Sequence, residues 1–161
     1  MEVHADGIIT LGKQTFSQAA LRHRKFPFPP NVPSIAVFYA PIEVKNASEV
    51  FYRETRNESI VKKATDQVRV SFVREKDFLA TSAFIATWKN VAHADGKFPN
   101  KTNTFQVVLV TDNKNTFSLF HYKYDGLQWI KGYHVRYQGG RFLDAQVGFS
   151  AGDQVRYSNG I

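Results

Sequence analysis

The sequence predicts an α+β, β-rich fold: a mainly antiparallel, sandwich-like sheet with one packed amphipathic helix at about 58–72. Three observations carry this. In Asn103–Trp129, Phe105, Val107 and Leu109 alternate with Thr104, Gln106 and Val108, and the same rhythm resumes through Phe117, Leu119 and His121. Thr111–Asn115 between them is polar and tolerant of turn dihedrals, so the stretch reads as an antiparallel hairpin. Ser34–Ala40 is nearly all apolar, as a strand buried on both faces would be. Ile60, Val61, Ala64, Val68 and Phe72 recur at three- and four-residue spacing, which is the stripe of a helix lying on a sheet.

Taken in order, His4-Ala5-Asp6-Gly7 is a turn leading into a short β run, Ile8–Leu11, closed by Gly12. In residues 13–33, Gln14–Arg24 can hold a turn of helix, but Pro27, Pro29, Pro30 and Pro33 prevent regular structure beyond it, so the segment reads as a loop ending in an extended connector. Glu49–Glu54 is a strand, and Asn57 or Ser59 can cap the helix that follows. Lys62, Lys63, Asp66 and Gln67 fall outside the helix stripe, while Val68, Val70 and Phe72 also alternate and leave its end open. Ala83–Val91 is a strand, and His93–Thr102 a projecting loop. Asp125-Gly126 reads as a second tight turn before a third strand at Leu127–Trp129. Glycines interrupt 131–143; Ala145–Phe149 and Asp153–Tyr157 are the closing strand candidates.

The 161 residues fit one domain, and 43% hydrophobic with 14% aromatic residues supply a substantial core. With 14 Phe, 7 Tyr and no Cys, packing rests on aromatic and β-branched side chains, and disulfide or thiolate chemistry is ruled out. The missing cysteine alone leans toward a reducing compartment. No window approaches the roughly 18 apolar residues of a membrane span, and Met1–His4 is no signal core. A formal charge of +7 favours acidic partners without choosing among them. Arg22, Arg24 and Lys25, with His23, form the compact basic cluster and the candidate anion-binding residues.

Catalytic and metal chemistry find little support. His4 with Asp6 and His93 with Asp95 are the near pairs for a metal, but in two His-Ala-Asp-Gly stretches they read as Asx-type turns with exposed histidines. No Ser stands in a nucleophile elbow, and the carboxylates are too scattered to pair for glycoside hydrolysis. No cofactor is expected. Tyr133–Tyr137 alternates rings with cations as a single-strand nucleic-acid binder would, yet an amphipathic strand explains it better, and no nucleic acid is expected as partner. Asn46-Ala47-Ser48, Asn57-Glu58-Ser59 and Asn100-Lys101-Thr102 are N-glycosylation sequons in expected loops or at the helix entrance.

With these blocks placed, a family resemblance is in view. Val50–Glu54, the helix, Phe84–Val91, Asn103–Leu109, Gly126–Trp129 and the closing Ala145–Asp153 together resemble the NIDO domain, the nidogen N-terminal extracellular domain shared by nidogens, alpha-tectorin and mucin 4. The resemblance spans nearly the whole chain, from Gly7–Thr10 onward. Family members carry an aromatic-Ala-Asp-x-Asp pattern after the buried strand, whereas Tyr39-Ala40 is followed here by Pro41-Ile42-Glu43, leaving one carboxylate. The resemblance implies a single domain, 1–161, cut from a larger modular protein and shortened at its N-terminus. It implies a secreted module or membrane-anchored ectodomain, non-enzymatic, supporting cell–matrix adhesion with matrix or cell-surface proteins as partners. It also favours glycans at Asn46, Asn57 and Asn100. Binding of heparan sulfate or another glycosaminoglycan through the basic surface is the alternative reading, and a carbohydrate-active enzyme a third.

Overall fold

The computed structural model describes residues 1–12, 25–28, 32–45, 47–135, 141–153 and 155–160. In chain order the strands are β1 (Glu2–His4), β2 (Ile8–Thr10), β3 (Ser34–Tyr39), β4 (Ile42–Glu43) and β5 (Glu49–Thr55), followed by helix α1 (Glu58–Ser71). Then come β6 (Ser82–His93), β7 (Asn103–Thr111), β8 (Thr116–Leu127), β9 (Lys131–Val135), β10 (Arg141–Asp144), β11 (Gln146–Ser150) and β12 (Tyr157–Gly160). Among the described residues all strand pairings are antiparallel. One sheet has the order β1-β2-β3-β11-β12; in the other, β6 pairs with β4 and β5 along one side and continues through β7 to β8 on the other. The hairpin β9–β10 stands apart.

The two sheets face each other across the main core. Ile9, Ile35, Val37 and Phe38 from the first meet Ala86, Trp88, Phe105, Val107 and Leu109 from the second. The predicted alternation of β7 is therefore real, with its odd-numbered residues inward. β3 lies at the centre of its sheet and is buried throughout, as its unbroken apolar run requires. Its outward Ala36 and Tyr39 join Phe26, Phe28, Val32, Ile8 and Tyr133 in a second cluster. The segment read as a loop and proline-rich connector thus lays two buried phenylalanines on the sheet; most of residues 13–33 lies outside the described residues.

A bulge in β3 makes this two-sided burial possible. The amides of Val37 and Phe38 both donate to the Gly7 carbonyl, at 2.9 and 3.1 Å, and pairing with β11 slips between Ala36 and Tyr39. Two consecutive side chains, Val37 and Phe38, consequently enter the main core and Tyr39 turns to the other face. Gly7 has φ +78, and a Cβ there would run into the Phe38 carbonyl, so the turn requires glycine.

The two His-Ala-Asp-Gly stretches close the same turn. Gly7 N donates to His4 O at 3.3 Å and Gly96 N to His93 O at 3.2 Å. They flank the point where the chain crosses between sheets: Ala40 N donates to Asp6 O and Ala94 N to Pro41 O. The expectation of exposed histidines is overturned. His4 and His93 are 5% and 4% exposed, because each ends a strand on its inward side.

His4 Nε2 lies 2.9 Å from Thr10 Oγ1, and its carbonyl accepts from Trp88 Nε1 at 3.0 Å. Burial lowers the His4 pKa below 6.5, against the opposing pull of Glu2 and Asp6. The neutral ring is therefore the form that folding favours, and its contribution to stability is complete above pH 6.5 and declines as pH falls through the depressed value. Urea midpoints should fall between about pH 7.5 and about pH 5, and His4→Gln should flatten that fall. An equally steep acid loss in the variant would assign it to other groups.

Helix α1 packs on the outer face of the second sheet, where Ala64 and Val68 meet Val110, Phe78 and Ala80, with Phe117 and Leu119 alongside. Asn57 is its N-cap, accepting from Ile60 N. The helix ends at Ser71. Phe72 is an extended C-cap, 42% exposed, its ring against Phe117 at 4.8 Å, and so stands at the margin of the stripe it was expected to complete. Val70 is 82% exposed, which disposes of a strand at 68–72.

One expected turn and one expected strand need correction. Asp125-Gly126 does not separate two strands: β8 runs on to Leu127, which opposes Asn103, while Tyr122 opposes Phe105, so β8 carries extra residues as a bulge. Asp125 is held there at φ +56, and a Cβ on Gly126 would press on Lys123. Asp153, Val155 and Arg156 are not on a strand, because Asp153 Oδ1 takes the amides of Val155 and Arg156 that a ladder would have used; Gln154 lies outside the described residues. β12 starts only at Tyr157.

Candidate functional site

Helix α1 is too short for the sheet beneath it. Its 14 residues span about 21 Å, whereas the 12 residues of β6 span about 40 Å. The helix covers the Val110, Phe117 and Leu119 end and leaves the other end open.

The open part is a shelf built across three paired strands. Thr87 on β6 opposes Gln106 on β7, which opposes His121 on β8. Gln106 Nε2 donates to Thr87 Oγ1 at 2.7 Å, and His121 Nδ1 lies 3.4 Å from Gln106 Oε1, so the side chains form a polar ladder. Between ladder, helix and edge strand runs a groove of about 350 Å³, with Ile60, Ala64, Ile85 and Val108 as its apolar part and Phe51, Arg53, Lys63 and Gln67 at its border. A second depression of about 400 Å³ shares Thr87, Gln106 and His121 and extends past Thr104 to Lys123. No carboxylate lines either. Phe51 is half exposed, and Arg53, Lys63 and Lys123 are exposed.

Lys89 on the same strand as Thr87 is neutralised by Glu49, with Nζ to Oε2 at 3.0 Å. Arg53, Lys63 and Lys123 have no ion-pair partner among the described residues. On the inner side of β8, Tyr122 donates its hydroxyl to the Val37 carbonyl at 2.6 Å, tying the shelf strand to the first sheet, and burial pushes its pKa up to about 12.

The residues singled out from the sequence lie elsewhere. Asn57 and Asn100 are both exposed, and they sit toward opposite ends of β6: Asn57 follows Thr55, which pairs with Ala83, while Asn100 is in the loop that leaves from His93. Asn57 caps the helix through Oδ1, and an N-glycan is attached through Nδ2, so the two roles do not compete. Asn100 has φ 62, a conformation asparagine tolerates better than most residues. Asn46, Arg22 and Arg24 lie outside the described residues; Lys25 is exposed.

Of the near pairs for a metal, His93 Nδ1 is 2.6 Å from Asp95 Oδ1, and the buried ring packs edge-on against Trp129 and Phe98 at centroid distances of 4.9 and 5.4 Å. Burial pushes the Asp95 carboxyl up, but hydrogen bonds from Lys97 and the nearby His93 hold it below the usual range. Among the described residues no three His, Asp or Glu side chains group as metal ligands.

Sequence reasoning passed over Arg53, Lys63, Thr87, Gln106, His121 and Lys123 as a group. The available signal was length: polar residues alternating on a face that a helix of four turns cannot span mark the part left uncovered.

The nidogen-like domain model matches residues 1–160. The chain is 34% identical over 154 residues to a nidogen of Drosophila melanogaster, covering 94% of this chain and 11% of that protein. It is 36% identical over 138 residues to human alpha-tectorin, covering 82% of this chain and 6% of that protein. With mouse nidogen-2 it shares 35% identity over 138 residues, covering 78% of this chain and 10% of that protein. It thus spans roughly a tenth or less of these relatives. No solved structure matches. The intracellular lean of the cysteine-free composition gives way to this kinship: the chain belongs to the nidogen-like domain family and is, with it, an extracellular matrix module.

Proposed function

We propose that residues 1–161 act as one non-enzymatic interaction module of a longer matrix or cell-surface protein, supporting cell–matrix adhesion through exposed sheet face and loops. The observation that carries this reading is the family match over residues 1–160, with relatives whose length leaves ample room for further domains. Surfaces coated with the domain should hold cells above an albumin-coated control; attachment no greater than that control would remove adhesion from the reading.

Glycosylation at Asn46, Asn57 and Asn100 belongs to the same proposal. Glycopeptide mass spectrometry of the protein from its native tissue should find glycan on at least one of them, Asn57 and Asn100 being exposed. Three bare asparagines would withdraw the sites.

A second reading is glycosaminoglycan binding, favoured by the formal charge of +7. Retention on heparin at low ionic strength, lost at moderate salt, is the expected behaviour. A domain that passes unretained at low salt would end it.

A further inference from the structure

We propose that the shelf beside helix α1, rather than the Arg22–Lys25 cluster, is where this domain takes an acidic saccharide segment, a stretch of sulfated or uronate-bearing sugars. The inference rests on the second reading above and gives it a site. Three independent properties of the shelf fit such a ligand. Its charge is one-sided: Arg53, Lys63 and Lys123 project around the two depressions, no carboxylate lines either, and the nearby Lys89 is already paired with Glu49. Guanidinium and ammonium groups without internal partners keep their full attraction for sulfate or carboxylate.

Its floor is a fixed row of donors and acceptors. Thr87, 8% exposed and held by Gln106, anchors a ladder that reaches His121. A rigid polar row on a sheet can meet successive sugar hydroxyls without the side chains first being ordered. The border then offers a half-exposed aromatic ring, Phe51, against which the apolar face of a pyranose can lie, next to Ile60 and Ile85. The size also agrees, since about 350 Å³ is at the small end of ligand sites and suits one or two sugar rings. The second depression, sharing the ladder, lets a linear chain continue toward Lys123.

The test compares two triple charge reversals of equal net charge on immobilised heparin. Arg53→Glu/Lys63→Glu/Lys123→Glu should weaken binding about tenfold, while Arg22→Glu/Arg24→Glu/Lys25→Glu stays within about twofold of wild type. If the second variant loses retention and the first does not, the site is the basic cluster and the shelf proposal fails. Equal losses would mean a diffuse field and would overturn it as well. An unretained wild type would instead defeat the parent reading, so the two failures are distinguishable. Because charge reversals can disturb folding, amide chemical shifts of the wild-type domain with a heparin-derived tetrasaccharide supply a second measurement. Changes centred on Thr87, Gln106 and His121 support the shelf, and changes confined to other regions overturn it.

Discussion

Trp88→Ala is expected to cost about 3–5 kcal/mol, the range for emptying a large aromatic site in a closed core. Trp88 is 0% exposed and sits in the intersheet core, stacked on Phe105 at 5.1 Å and 16° between planes. It also donates Nε1 to the His4 carbonyl at 3.0 Å, linking the second sheet to the end of β1. Alanine removes both the packing and that bond, and neighbours as stiff as Val37 and Phe38 at the β3 bulge cannot close around the void. With total stability of about 5–15 kcal/mol for a domain of this kind, the variant should be largely unfolded in modest urea. Trp88→Phe separates the two contributions: most of the packing stays and the donor goes, so a loss nearer 1–3 kcal/mol is expected. Urea unfolding followed by fluorescence reads both, since the molecule retains its other tryptophan, Trp129. If the alanine and phenylalanine variants lost the same amount, the bond rather than the packing would be what matters.

The second large effect is expected at a polar residue. Asn103 is 0% exposed; its Oδ1 accepts from Gln128 N at 2.8 Å and Trp129 N at 3.2 Å, and its Nδ2 donates to the Trp129 carbonyl at 2.8 Å. This side chain supplies the partners that a third strand would otherwise have given to 128–129. Asn103→Leu, similar in volume, should cost about 3–5 kcal/mol, because three backbone groups lose their partners where little water reaches. Trp129, packed on Phe38 and His93, would lose its placement with them. Gln128→Ala is the control: its exposed side chain accepts from Thr102 N, and about 1 kcal/mol is expected. Equal destabilisation by the two variants would show that the loop depends on general packing and not on the Asn103 bonds.

Much of the architecture was legible because it rests on local periodicity. The alternation of Phe105, Val107 and Leu109, the unbroken apolar run of β3 and the stripe from Ile60 to Val68 each report which face is covered, and the covering follows. What escaped depends on contacts distant in sequence. Nothing near Asp125-Gly126 reveals that β8 continues past it, since what keeps Leu127 in the sheet is its pairing with Asn103. The burial of His4 and His93 was hidden because the His-Ala-Asp-Gly turn is polar in composition, and its inward end is fixed by Trp88 and Trp129. The shelf was invisible for a related reason: Arg53, Lys63, Thr87 and Lys123 become neighbours only through strand register and the reach of α1.

The order of the first sheet bears on how the domain would carry load. β1 and β12 are its two edges, and four successive antiparallel pairings leave them pointing the same way. Tension applied at Glu2 and Gly160 therefore drags the two edge strands in opposite directions along their own axes. Ladder bonds lie perpendicular to the strands, so those of β1 with β2 and of β11 with β12 are strained together rather than opened one after another. The second sheet and α1 lie outside that line of force. A fibre pulling on this module would stretch one sheet while the shelf on the other kept its shape.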